Sequence, residues 1–95
     1  MSFIQIVQFE TDNIDELRER GKRYEEEGGG GGGKGTVCAD RDNPGRYYII
    51  AQFDSYEAAM ENSNKPETQE LAADMAKLSN GPPTFYNLDV IDVIG

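Results

Sequence analysis

The period of apolar and polar positions changes along the chain, and the changes mark the elements. From Phe3 to Phe9, β-branched and aromatic residues dominate and only Gln5 and Gln8 interrupt them. That predicts a strand with apolar residues on both faces, hence a central strand covered on both sides. Asn13 with Glu16 three residues later predicts an N-cap and capping box, and Asp15 and Glu16 suit the positive end of a helix dipole. Ile14, Leu17, Gly21 and Tyr24 then fall on one helical stripe. Gly21 is a weak position by propensity, and a close approach of helix to sheet is a reason to keep it there.

Two strands follow, Thr36 to Ala39 and Tyr47 to Phe53, joined by Asp42-Asn43-Pro44-Gly45-Arg46. In that turn proline presets φ at one central position and glycine accepts a positive φ at the next, so the pair reads as a β-hairpin. Asp54 with Glu57 predicts the cap of a second helix, with Tyr56, Ala59 and Met60 on its buried side. Asn64-Lys65-Pro66 interrupts it, and Pro66 suits the first turn of a fresh segment carrying Leu71, Met75 and Leu78. Ser79-Asn80-Gly81-Pro82-Pro83 ends that segment, and Phe85 to Ile94 is expected as the last strand.

The order is β-α-β-β-α-β, the split βαβ pattern of a ferredoxin-like α+β domain: one four-stranded antiparallel sheet with two helices on one face. The first and third strands are expected at the centre, with the last beside the first. Strands apolar on both sides need cover on the second face too, and the sheet of a second copy supplies it, so a homodimer is expected.

Length and charge narrow the partners. Ninety-five residues make one domain with a thin core. A formal net charge of −9 repels nucleic acid and anionic membrane surfaces, so neither is expected as a partner. There is no histidine, which removes the commonest general base and metal ligand. The single cysteine, Cys38, forms no intramolecular disulfide and reads as a small apolar strand residue. No stretch is long and apolar enough to span a bilayer, and the first residues lack the pattern of a signal peptide, so the expected location is cytoplasmic.

Between the first helix and the hairpin stand Glu25-Glu26-Glu27 and six consecutive glycines, Gly28 to Gly33. The stretch is superficially similar to a phosphate-binding loop. However, Gly33-Lys34 is followed by Gly35 rather than a hydroxyl residue, the run follows a helix, and three carboxylates precede it. Residues 28–35 are expected to be a flexible connector spanning about 13 Å. Such a run is unusual in a compact natural domain and is consistent with an engineered replacement of a native loop. Asp40, Asp42 and Asn43 near the hairpin lack the spacing of a calcium loop and read as a polar turn. No metal site and no cofactor are expected.

The polar residues set among apolar ones are more informative. Gln5 on the first strand, Ile49 on the third, and Phe85 and Asn87 on the last are candidates to line one sheet face. With Tyr24 from the first helix and Tyr56 and Asn62 from the second, they would surround a space between helices and sheet. Apolar walls with a few converging polar groups make a small-molecule pocket, while hydrogen-bonded core residues give the same pattern without one.

The stretches Asp40-Arg41-Asp42-Asn43-Pro44-Gly45-Arg46-Tyr47, Phe53 to Ser63, Pro66-Glu67-Thr68-Gln69-Glu70 and Gly81 to Val90 resemble small actinobacterial proteins of the dimeric α+β barrel group. That group holds the antibiotic-biosynthesis-monooxygenase-like domains and the stress-responsive barrel proteins. The resemblance implies a dimer whose two sheets face each other, with a ligand cavity between each sheet and its own helices. It also implies, for some members, oxidation of aromatic polyketides by molecular oxygen without metal or flavin, and for others haem breakdown. An asparagine used by some members would correspond here to Asn62 or Asn87. The chain departs from the active patterns in having neither tryptophan nor histidine. Three functions follow as expectations: a cofactor-independent oxygenase acting on a small aromatic ligand, a non-catalytic structural or stress-responsive dimer, and an engineered scaffold with a replaced loop.

Overall fold

The computed structural model describes residues 2–28 and 33–95. Its elements are β1 (Phe3–Glu10), α1 (Ile14–Glu26), β2 (Lys34–Ala39), β3 (Arg46–Phe53), α2 (Tyr56–Ser63), α3 (Pro66–Leu78) and β4 (Thr84–Asp89). The four strands form one antiparallel sheet in the order β2-β3-β1-β4, with β1 and β3 central as the ferredoxin-like order predicted. Residues 29–32, most of the glycine run expected as a flexible connector, lie outside the described residues. Lys34 and Gly35, expected in that connector, are already paired in β2, opposite Gln52 and Ala51.

Antiparallel partners share a face, so the register sorts the side chains. Phe3, Gln5, Val7 and Phe9 point to the helix side with their β3 partners Phe53, Ala51, Ile49 and Tyr47. Phe85 and Asn87 on β4 join them. Phe3, Phe53 and Ala59 are buried together, with Ala51, Ala58 and Met60 packed against them. Ile4, Ile6 and Gln8 point to the opposite face with Ile50, Tyr48, Tyr86 and Leu88. No element of the chain lies on that face among the described residues.

Several local expectations are corrected. The break expected at Asn64-Lys65-Pro66 is present, but it is complete: Asn64 closes α2 and Lys65 is extended before Pro66 opens α3, so the described residues hold three helices rather than two. The cap of α2 is Ser55, whose Oγ accepts from the Ala58 N–H at 3.1 Å, rather than Asp54. Asn13 stands at the N-cap of α1 without a side-chain cap bond, so the capping box does not form. Thr11 Oγ1, fully buried, instead accepts from the Asn13 N–H at 2.9 Å and donates to the Leu78 carbonyl. A Cβ on Gly21 would meet nothing within 4 Å, so no close approach to the sheet requires that glycine. The last strand ends at Asp89 rather than Ile94, since β1 begins at Phe3 and offers no partner beyond it.

The hairpin turn forms as predicted. The Arg46 N–H donates to the Asn43 carbonyl at 3.1 Å, and Gly45 takes φ +87°. Asp40 fixes the approach: its Oδ1 accepts from the Asp42 and Asn43 N–H groups and its Oδ2 from the Tyr48 hydroxyl at 2.9 Å. These bonds, the Asp42 amide first and the Tyr48 hydroxyl next, hold the carboxyl below its ordinary range. The Asp40 carboxylate in turn raises the Tyr48 phenol above its usual value.

Candidate functional site

On the helix side of the sheet the side chains fall into cross-strand rows. Phe53, Phe3 and Asp89 make the first, with Tyr56 of α2 standing edge-on to Phe3 at 5.4 Å between ring centroids. Gly35, Ala51, Gln5 and Asn87 make the second, and Val37, Ile49, Val7 and Phe85 the third. The second row is small where the third is bulky: it sets glycine and alanine beside two amides, Gln5 and Asn87. Across β1 and β4 the Gln5 Nε2 donates to Asn87 Oδ1 at 3.1 Å. These two residues, 82 positions apart in sequence, are therefore one polar spot beside the apolar Phe3 and Val7 of β1.

A second polar group lies among the helices. Asn62 on α2 is buried, and its Nδ2 donates to the Tyr24 phenol oxygen of α1 at 2.9 Å. The same oxygen lies 2.9 Å from Thr68 Oγ1 of α3. All three helices thus meet at one hydrogen-bonded group of uncharged side chains. A buried amide is stable only when so partnered. Uncharged donors and acceptors orient a hydroxyl or carbonyl of a ligand without imposing a charge on it.

The structure thus brings together Gln5 with Asn87, and Tyr24 with Asn62, and sets Ile49 and Phe85 in the row adjoining the amides. Tyr56 and Phe85 are half exposed, at 50% and 54%, so they stand at the margin of this face rather than deep within it. Thr68 was missed by sequence reasoning. It lies on the stripe Thr68, Leu71, Met75, Leu78 of α3, and that spacing is the signal that points to it.

Two concavities are described, one between α1 and α3 and one on the uncovered sheet face. A polar crevice of about 30 Å³ between α1 and α3 is lined by Arg20, Glu67, Leu71 and Asp74 among others. Arg20 bridges its walls, 3.0 Å from Asp74 and 3.2 Å from Glu16, and those carboxylates raise the guanidinium pKa further. A shallow groove of about 330 Å³ crosses the uncovered sheet face, lined by Ile6, Gln8, Tyr48, Ile50, Tyr86 and Leu88. Among the described residues no group of three or more carboxylates and cysteines is arranged to hold a metal ion. Cys38 is half-buried and has no acid–base partner to activate it among the bonds described above. Among the described residues no helix is long and apolar enough to cross a membrane.

No protein-family model and no curated protein sequence matches the chain. Solved structures do. The cofactor-independent oxygenase SnoaB from Streptomyces nogalater superposes with a TM-score of 0.79 at 15% identity, covering 98% of this chain and 96% of that one. Rv0793 from Mycobacterium tuberculosis does so with a TM-score of 0.76 at 16% identity, over the whole of both chains. A protein described as antibiotic biosynthesis monooxygenase matches at 0.76 and 14% identity, over 95% and 99%. The chain therefore has the α+β fold of the antibiotic-biosynthesis-monooxygenase-like proteins, as the residue-level resemblance implied.

Proposed function

We propose that two copies of this chain join through their uncovered sheet faces, and that each binds a small aromatic ligand between its helices and the helix side of its sheet. The observation that carries the reading is the presence of two uncharged polar groups, one on the helices and one on the helix side of the sheet. Asn62 with Tyr24 and Thr68 lies on the helix side, and Gln5 with Asn87 beside the small Gly35 and Ala51 on the sheet side. Ile49 and Phe85 supply the apolar wall against which a planar ring packs. We assign the role on the ligand to Asn62 rather than Asn87. Asn62 is buried, where a hydrogen bond is strong, whereas Asn87 is exposed.

The dimer follows from the opposite face. Ile4, Ile6, Tyr48, Ile50, Tyr86 and Leu88 form a continuous apolar surface that a soluble acidic protein rarely leaves bare. The −9 charge of each copy opposes association, so apolar and backbone contacts must carry it.

The chemistry this site supports best is oxidation of an electron-rich hydroxyaromatic by molecular oxygen. A methylene or methine carbon conjugated with a phenolate becomes a carbonyl. One oxygen atom enters the product, the other leaves as water, and all four electrons come from the substrate and its two lost hydrogens. The protein's part is orientation, exclusion of water and hydrogen bonds to the developing phenolate from Tyr24 and Asn62. SnoaB, which shares the fold, is described as a cofactor-independent oxygenase. The test is oxygen uptake with a panel of dihydroxyaromatic substrates, run beside a thermal-shift screen of the same compounds. Uptake that Asn62→Ala abolishes supports the oxygenase. Stabilisation by a ligand with no uptake across the panel leaves a binding protein, a reading favoured by the lack of any histidine or tryptophan.

A further inference from the structure

The helix side of the sheet offers hydrogen-bonding groups without a cation. The register puts no lysine or arginine on that side of any strand, and one carboxylate, Asp89 at the end of β4. The group formed by Tyr24, Asn62 and Thr68 is uncharged as well. In the crevice that Tyr24 also lines, Arg20 and Arg23 stand among the carboxylates of Glu27, Glu67, Glu70 and Asp74.

All but one of the nine lysines and arginines are exposed or already committed. Arg18, Lys22, Arg23, Lys34, Arg41 and Lys77 are exposed, where water and salt screen them. Arg20 is held by Asp74 and Glu16. Arg46 shares the uncovered face with Glu10, 3.3 Å away. Lys65 remains, half-buried at the N-cap of α3 and close in sequence to both Asn62 and Thr68.

We infer that the ligand of this site is a neutral molecule, a hydroxyaromatic carrying no carboxylate, phosphate or other fixed negative charge. The inference rests on the reading that such a ring binds between helices and sheet, and it names the charge class of that ligand. An anion taken out of water needs a cation or several directed donors to offset its lost hydration. Here it would meet amides and hydroxyls already bonded to one another, the carboxylate of Asp89 and the field of a chain at −9. A second copy joined through the opposite face brings the same charge again. A phenol enters uncharged and exchanges hydrogen bonds with the same groups. Lys65 is the one side chain able to reverse this balance, so the test includes it.

The test is a matched series of hydroxyaromatics of one to three rings, each as the parent phenol, a ring carboxylic acid and the methyl ester of that acid. Each is titrated calorimetrically against the full chain near neutral pH, in low salt and in high salt. Parent and ester are expected to bind alike, and the acid about tenfold more weakly or worse, with the gap narrowing as salt screens the repulsion. In Lys65→Ala the ratio of ester to acid affinity is expected to stay the same. An acid that binds as well as its ester overturns the inference and leaves the ligand site standing. An acid that loses affinity in Lys65→Ala while its ester does not overturns it also, by making that lysine the partner of an anion. Ester and acid equally weak beside the parent overturn it too, because size rather than charge then decides. Binding by no member of the series overturns the ligand site itself, and the inference with it.

Discussion

The side-chain amide of Asn62 donates to the phenol oxygen of Tyr24 at 2.9 Å, joining α2 to α1 across 38 residues of sequence. Because Asn62 is buried, removing its amide leaves the layer between helices and sheet with an unfilled polar position. Asn62→Ala is expected to destabilise the fold by about 1–3 kcal/mol. It is expected to weaken binding of an aromatic ligand by more than that loss of folded protein explains. Denaturant titration together with ligand titration at a temperature where the variant is fully folded separates the two effects.

Thr68→Val removes the third member of the same group while keeping its shape. Tyr24 then loses one of its fixed neighbours, 2.9 Å away. Ligand affinity is expected to fall less than for Asn62→Ala, with a stability loss of about 0.5–1.5 kcal/mol. Calorimetric titration of both variants with one ligand checks the order.

Gly21→Ala is expected to stabilise the protein. The position is inside α1, no atom lies within 4 Å of an added Cβ, and its φ is not positive. The gain in helix propensity is about 1 kcal/mol, which for a domain of this size raises Tm by about 4–8 °C. Gly45→Ala is expected to do the reverse, because φ is +87° there and a side chain is strained by about 1–2 kcal/mol. Parallel thermal melts of the two variants test both signs.

Acid is expected to weaken the hairpin through Asp40. Its folded pKa lies below its ordinary value of 3.8 because the Asp42 amide and the Tyr48 hydroxyl bond its charged form. The contribution is therefore present above the ordinary value and is lost as pH falls through the lowered one. Tyr48 acts in the opposite direction: its raised pKa means that its contribution is complete below its ordinary value of 10.0 and lost as pH rises through the folded one. Asp40→Asn is expected to flatten both limbs in urea melts taken from pH 2 to pH 11. An unchanged acid limb contradicts the assignment.

What the sequence revealed and what it hid divide along physical lines. Apolar residues on both faces of Phe3 to Phe9 were enough to place that strand at the centre, and the split βαβ order placed Tyr47 to Phe53 beside it. The same parity set Gln5, Ile49, Phe85 and Asn87 on one face. Helix caps were less legible. Asp54 and Ser55 are both good N-caps, and the choice of Ser55 depends on its extended backbone, φ −156° and ψ 164°, which tertiary packing sets. Asn13 lost its expected capping box because Thr11, tied to the Leu78 carbonyl, holds the preceding turn. The end of the last strand was misread for a similar reason: Ile91 to Ile94 has the composition of a strand, but a strand needs a neighbour, and β1 has none to offer there. Thr68 was missed because its place on the stripe of Leu71, Met75 and Leu78 marks only a helix face, and the bond to Tyr24 shows only in the structure.

The central claim is a ligand-binding dimer, and native mass spectrometry of the protein as purified from cells tests it most directly, since subunit number and any retained small molecule are read together. The account predicts a species at twice the 10.5 kDa chain mass, able to retain a discrete aromatic-sized ligand, with the retained mass lost in Asn62→Ala. A bare monomer at all concentrations would contradict it, because the apolar face of Ile6, Ile50, Tyr86 and Leu88 would then have no partner.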